Sequence, residues 1–145
     1  MAGFTRELTE GFELDSERDI RNVHGAPGWM ELTTPDPAAA REFVEAVFGW
    51  GFQTMPIGGA EYTVVEVRGH GVGGIRSPQP GEGPGPAWST YVTVEDADEA
   101  ARRVERAGGS ILVPPTDLPD VGRMLMFEHP AAGRMLAFEY LRPFD

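Results

Sequence analysis

Two glutamates stand on alternating runs beside aromatic residues: Glu31 in Trp29-Met30-Glu31-Leu32-Thr33, and Glu139 in Ala137-Phe138-Glu139-Tyr140. A carboxyl group enclosed by apolar walls resists ionisation and can act as a general acid or base, or it can pair with a cationic ligand. These two are the catalytic candidates. Little else in the chain competes with them. Without cysteine there is no thiolate nucleophile, disulfide or cysteine metal site. All 12 basic residues are arginine, which removes Schiff-base and lysine-base chemistry. His24, His70 and His129 lie next to glycine or proline and far apart, so they read as turn histidines without ligand spacing. Gly71-Val72-Gly73-Gly74 leads into a strand and not a helix, so it is no phosphate loop. No serine stands in a nucleophile elbow.

Charge narrows the partners. The chain carries 23 acids against its 12 arginines, a formal charge of −11, which repels phosphate backbones and anionic lipid. We therefore expect a small-molecule ligand and neither nucleic acid nor membrane as partner. Arg102, Arg103 and Arg106 read as the solvated face of a helix. No apolar run is long enough to span a bilayer, and Met1 to Arg21 mixes acids and arginines where a signal peptide needs an apolar stretch, so the expected location is cytoplasmic.

The elements that must position the glutamates are set by an internal repeat at an offset of 60 residues. Trp29 to Asp36 aligns with Ser89 to Asp96. In each copy a strand ends at an aspartate that can cap a helix, with Pro37 at the first helical position of one and Glu99 completing a capping box in the other. The first helix, Asp36 to Phe48, puts Ala40, Phe43, Val44, Val47 and Phe48 on one stripe before Gly49; the second does the same with Ala97, Ala100, Ala101, Val104 and Ala107 before Gly108. Strand-like alternation then spans Gly51 to Met55, Tyr62 to Val67 and Gly71 to Arg76, and again Ser110 to Pro114, Arg123 to Phe127 and Arg134 to Leu141. Ser77 to Ala87 holds four prolines and three glycines and joins the copies. Residues 1–27 form an N-terminal arm without counterpart in the repeat, with Phe4, Leu8, Phe12, Leu14 and Ile20 as anchors. The remaining 28–145 make one domain: module one 28–77, linker 78–87, module two 88–143.

Trp29-x-Glu31-Leu32-Thr33-Thr34-x-Asp36, the Phe48-Gly49-Trp50 helix exit, Trp88-x-x-Tyr91-Val92-x-Val94-x-Asp96 and Gly122-Arg123 resemble, in this order and spacing, the vicinal oxygen chelate superfamily of glyoxalases, bleomycin-resistance proteins and extradiol dioxygenases. The resemblance covers roughly 27–143. It implies an α+β fold in which two tandem βαβββ modules form a curved eight-stranded mixed sheet around a concave cavity, helices outside, and it implies a homodimer. Metal-dependent members keep one ligand on the first and last strand of each module. Here those positions are Trp29, Ser89, and residues near Gly74 and Ala137, none a usual ligand. We expect no metal and no cofactor.

Alternation sends Leu32, Val92, Val94, Leu136, Phe138 and Tyr140 to one face, expected beneath the helices. Trp29, Glu31, Thr33, Ser89, Tyr91, Thr93, Met135, Ala137 and Glu139 go to the other, expected to line the cavity. The ligand-binding candidates are Trp29, Thr33, Ser89, Tyr91 and Met135, with Met124 as an adaptable wall and Trp50 and Trp88 at the mouth. The expected function is metal-independent binding of a small apolar or aromatic molecule, a natural product or its precursor. Sequestration as in drug-resistance relatives and acid–base chemistry of a lyase, isomerase or cyclase both fit. A metal-dependent lyase, isomerase or dioxygenase and a module with a filled cavity are the alternatives. If the ligand positions are vacant, a chelator will leave the melting temperature unchanged, since no bound ion adds its stabilisation. A fall of several degrees reversed by one divalent metal would restore the metal-dependent reading.

Overall fold

The structure is a computed structural model and describes residues 19–57, 59–83 and 85–144; Phe4, Leu8, Phe12 and Leu14 of the expected arm lie outside the described residues. Module one contains β1 (Pro27–Thr33), α1 (Pro37–Phe48), β2 (Gly51–Ile57), β3 (Ala60–Val67) and β4 (His70–Arg76). Module two contains β5 (Ala87–Thr93), α2 (Ala97–Arg106), β6 (Ser110–Leu118), β7 (Gly122–His129) and β8 (Gly133–Tyr140). The eight strands form one sheet in the order β2-β3-β4-β1-β5-β8-β7-β6. Each module closes by pairing its first and last strands in parallel, β1 with β4 and β5 with β8, and the modules join through antiparallel β1 and β5.

Local signals explain the element ends. The Asp36 carboxylate accepts from the Ala39 amide at 3.1 Å, and Gly49 takes the left-handed cap at φ 68°. Asp96 caps α2 by accepting from the Glu99 amide at 3.0 Å. The expected capping box does not close there, because the Glu99 side chain turns to Arg102, Arg106 and Arg103, whose hydrogen bonds hold its carboxyl down at about 2. β6 runs past Pro114 and Pro115, further than expected, since register shifts between Ile111 and Val113 and between Val113 and Thr116 take the prolines out of the ladder.

The core lies in three clusters. Leu32, Val65 and Ile75 pack beneath Val44 of α1, and Val94, Leu125 and Ala137 beneath Ala97 of α2. Tyr91, Leu136 and Phe138, with Trp29, Leu118, Val121, Met124, Met126 and Tyr140, make the third on the side away from the helices. This corrects the expected orientation of β8: Leu136, Phe138 and Tyr140 face away from the helices, and Ala137 packs under α2. Size decides it. α2 presents Ala97, Ala100 and Ala101 to the sheet and Ala137 fits beneath them beside Leu125 and Phe127, whereas the rings of Phe138 and Tyr140 stack on each other and meet Tyr91 and Phe144 edge-on on the opposite face.

A second correction concerns α1. Of its stripe only Val44 is buried; Phe43, Val47 and Phe48 are 68%, 54% and 62% exposed. The last part of the expected arm, Asp19–Ala26, is tied down. Thr93 exchanges backbone hydrogen bonds with Gly25 and Ala26 at 2.7 and 2.8 Å, and Asn22 holds both backbone groups of Phe144 through its side-chain amide at 2.8 and 2.6 Å.

The burial pattern fixes the expected outcome of two truncations. Leu125→Ala, at a fully buried position, should cost about 2 to 5 kcal/mol. Phe43→Ala, on the stripe exposed in the single chain, should cost clearly less. Denaturant unfolding of both variants checks this ordering.

Candidate functional site

The side of the sheet away from the helices is organised around Glu31, which is 4% exposed. It sits in β1 with Gly74 of β4 on one flank and Ser89 of β5 on the other. Glu31 Oε1 accepts from Arg76 Nε at 2.9 Å and from the Tyr91 hydroxyl at 3.1 Å, and Oε2 accepts from the Tyr62 hydroxyl at 2.7 Å. The Tyr62 oxygen in turn accepts from Trp29 Nε1 at 3.0 Å. Parallel pairing puts Arg76 within reach: it lies two residues beyond Gly74 on β4, on the same face. Tyr62 reaches across β4 because Gly74 has no side chain; a Cβ there would stand 1.9 Å from the Tyr62 hydroxyl. Gly71 likewise leaves room for the Trp29 indole, whose nearest atoms would lie 3.4 Å from a Cβ at that position.

Arg76 neutralises more than Glu31. Its Nη1 and Nη2 hold the two oxygens of Glu82, in the connector between modules, at 2.8 Å each. Burial tends to raise the Glu82 carboxyl, but the hydrogen bonds from Arg76 and from the Gln79 amide outweigh it and hold the group below its ordinary value. Burial first, then the negative charge of Glu31, push the phenols of Tyr62 and Tyr91 well above their ordinary value. The same two causes raise Tyr140. All three therefore keep their protons at neutral pH.

Two lobes of one concave space meet at this cluster. The smaller, of about 440 Å³, has aromatic and apolar walls including Trp29, Met55, Val64, Tyr140 and Phe144. The larger, of about 900 Å³, is lined by Leu112, Val113, Met124 and Met126 on one side and by the connector from Ser77 to Glu82 on the other. Glu31, Ile57, Tyr62, Tyr91, Leu118 and Phe138 line both and form the seam. Both volumes fall in the range of small-molecule sites.

Of the sequence candidates, the structure gathers Trp29, Glu31, Tyr91 and Met124 in this space. Glu139 is elsewhere: its carboxylate accepts from the Ala97 amide at 2.8 Å and so serves the N-terminus of α2. Met135 and Ala137 border a separate groove beside α2. Trp50 packs under α1, stacked on Phe48 at 4.9 Å and edge-on to Trp88 at 6.3 Å, which places that aromatic group on the helix side. Thr33 is buried beyond Glu31 on β1, and neither it nor Ser89 lines either lobe. Sequence reasoning missed Arg76, Tyr62, Phe138 and Tyr140. Strand alternation becomes enough to find Arg76 once the pairing of β1 with β4 is known, since that pairing sets Gly74 opposite Glu31.

The same geometry tests the family's metal. Among the described residues Glu31 is the one carboxylate on the seam and already has a guanidinium and two phenols on its oxygens, while the place of a ligand from position 74 holds the Tyr62 hydroxyl. Among the described residues no three or more histidine, cysteine, aspartate or glutamate side chains are placed to hold a metal ion. The residues present do not fit a divalent ion, which needs several donors converging on one point. No helix among the described residues is long and apolar enough to cross a membrane.

Comparisons with known proteins follow the same lines. Residues 26–138 match the model of the glyoxalase, bleomycin resistance protein and dioxygenase superfamily. A protein of Mycobacterium tuberculosis named as a glyoxylase, CFP32, is 37% identical in an alignment of 110 residues that covers 73% of this chain and 42% of that protein. The anthracycline biosynthesis protein DnrV of Streptomyces peucetius is 36% identical in an alignment of 125 residues that covers 77% of this chain and 46% of that one. The chain thus spans less than half the length of these relatives. Among solved structures, methylmalonyl-CoA epimerases from Streptomyces coelicolor and Mycobacterium tuberculosis superpose with TM-scores of 0.59 and 0.57, each at 14% identity. They cover 85% and 90% of this chain and 99% and 95% of their own, and at that identity they show the fold alone.

Removing the Glu31 charge strips Arg76 of one partner inside the protein, so Glu31→Gln should cost about 2 to 4 kcal/mol. Glu139→Gln, at a helix end, should cost no more than about 1 kcal/mol. Urea denaturation of the pair checks which glutamate the fold depends on. For Glu82 the folded value is depressed, so its stabilisation is complete above the ordinary carboxylate value of 4.5 and is lost as pH falls through the lower folded value. Glu82→Gln should flatten that acid limb in a melting-temperature profile.

Proposed function

Because the chain belongs to the glyoxalase, bleomycin resistance protein and dioxygenase superfamily, we propose that it uses the superfamily's concave face without a metal, to hold a small apolar or aromatic molecule. The observation that carries this reading is the two-lobed space itself: aromatic and methionine walls, met at the seam by a neutralised carboxylate and two phenols. Flat rings and adaptable thioethers suit a planar ligand. The name of the Streptomyces relative supports a ligand of natural-product kind.

Between sequestration and acid–base catalysis, the hydrogen bonding favours sequestration. A general base needs a lone pair aimed at the substrate proton, whereas both Glu31 oxygens are engaged by Arg76, Tyr62 and Tyr91. The chain acts on this reading as a binding or resistance protein. The exposed apolar stripe of α1, with Trp88 47% exposed near it, supports pairing with a second copy.

Native mass spectrometry of protein purified from its source should reveal a bound small molecule, and fused-ring aromatics should quench the tryptophans on titration. A protein that comes through empty and responds to none of them sinks the reading. If Glu31→Gln abolishes conversion of an identified ligand while leaving its affinity nearly intact, the chain is an enzyme and not a sequestering protein. Phe43→Glu should shift the protein to the mass of a monomer in light scattering if α1 forms the dimer contact.

A further inference from the structure

The hydrogen-bond inventory of the seam says more about the ligand than the apolar walls do. A phenol has one proton to give. Tyr91 spends it on Glu31 Oε1 and Tyr62 on Glu31 Oε2. Trp29 Nε1–H is spent on the Tyr62 oxygen, and Arg76 Nε–H on Glu31. What the phenol oxygens retain for a ligand, above all that of Tyr91, is lone pairs.

We propose, on the basis of the binding role above, that the Glu31–Tyr62–Tyr91 seam selects a ligand that donates: an aromatic molecule bearing a hydroxyl or amine, placed with its ring in the aromatic lobe and its N–H or O–H on the Tyr91 oxygen. A ligand oxygen with no proton meets lone pair against lone pair there, and a buried polar group left unpaired is costly. Charge acts in the same direction. In the aromatic lobe Arg142 is the one cation among the described lining residues, against Glu31, Glu66 and Asp120. Arg76, which lines the larger lobe beside the seam, is shared between Glu31 and Glu82, which leaves that trio with one negative charge in excess. Both considerations disfavour a carboxylate or phosphate on the ligand. The raised phenols keep the arrangement intact across the neutral range, because neither gives up the proton it shares with Glu31.

Three naphthalenes that differ in one substituent test this: 2-naphthol, which donates, 2-methoxynaphthalene, which only accepts, and 2-naphthoate, which accepts and is charged. Titration by tryptophan quenching at neutral pH should give 2-naphthol at least about tenfold tighter than the methyl ether, whose oxygen is left unpaired against the Tyr91 oxygen. The naphthoate should bind weakest. Glu31→Gln introduces an amide donor and frees a phenol proton toward the space, so in a variant shown to be folded by circular dichroism the tenfold preference should collapse or invert. Equal affinities for naphthol and ether overturn the donor rule and leave the aromatic cavity standing. Tightest binding of the naphthoate, or an unchanged preference in folded Glu31→Gln, also overturns it. Binding of none of the three overturns both this inference and the function it rests on.

Discussion

The structure turns on one buried charge and the cation that offsets it. Removing a carboxylate from water is costly, and Glu31 stands at the middle of the sheet with almost no exposure. Arg76 makes this burial tolerable, and it can do so only because β4 runs parallel to β1 with Gly74 opposite Glu31. That pairing is the closure of module one. The fold therefore creates the one place where the carboxylate can be held, and the carboxylate in turn orients two phenols and, through Tyr62, the indole of Trp29.

Arg76 also binds the two modules' connector to this centre. The segment from Ser77 to Glu82 would be an unremarkable turn, yet it forms a wall of the larger lobe and is pinned through Glu82 to the guanidinium that neutralises Glu31. The second module contributes differently. It supplies Tyr91, Phe138 and Tyr140 to the shared space and keeps alanines for the side where α2 must approach closely. The two halves have the same topology but divide the work between charge and ring surface.

The repeat made the fold legible. The first strand, the capping aspartate and the helix start recur at the same offset, and the caps at Asp36 and Asp96 and the turn at Gly49 occur where the residue types demand them. The face of β8 was harder to read, because hydrophobicity does not distinguish a sheet face covered by a helix from one that lines an aromatic cavity. Leu136, Phe138 and Tyr140 are the more apolar set and still face the concave side, where the rings meet Tyr91 and Phe144, while Ala137 lies under the alanines of α2. The stripe of α1 misleads in a related way, since its periodicity marks a surface to be covered without saying by what. Glu31 was found from its neighbours in sequence. Arg76 and Tyr62 lie 45 and 31 residues away and become visible only once strand partners are fixed.

Gly74 carries a historical consequence. Its missing side chain is occupied space, filled by the hydroxyl of Tyr62. Any lineage in which position 74 acquires a side chain must first, or at the same time, give up the tyrosine at position 62, and with it one of the phenols on Glu31. The order of change is thereby constrained: a ligating residue cannot enter at position 74 as a neutral first step. The two positions are entrenched as a pair, and a search for variants of this chain with a different chemistry on the same sheet must alter both together.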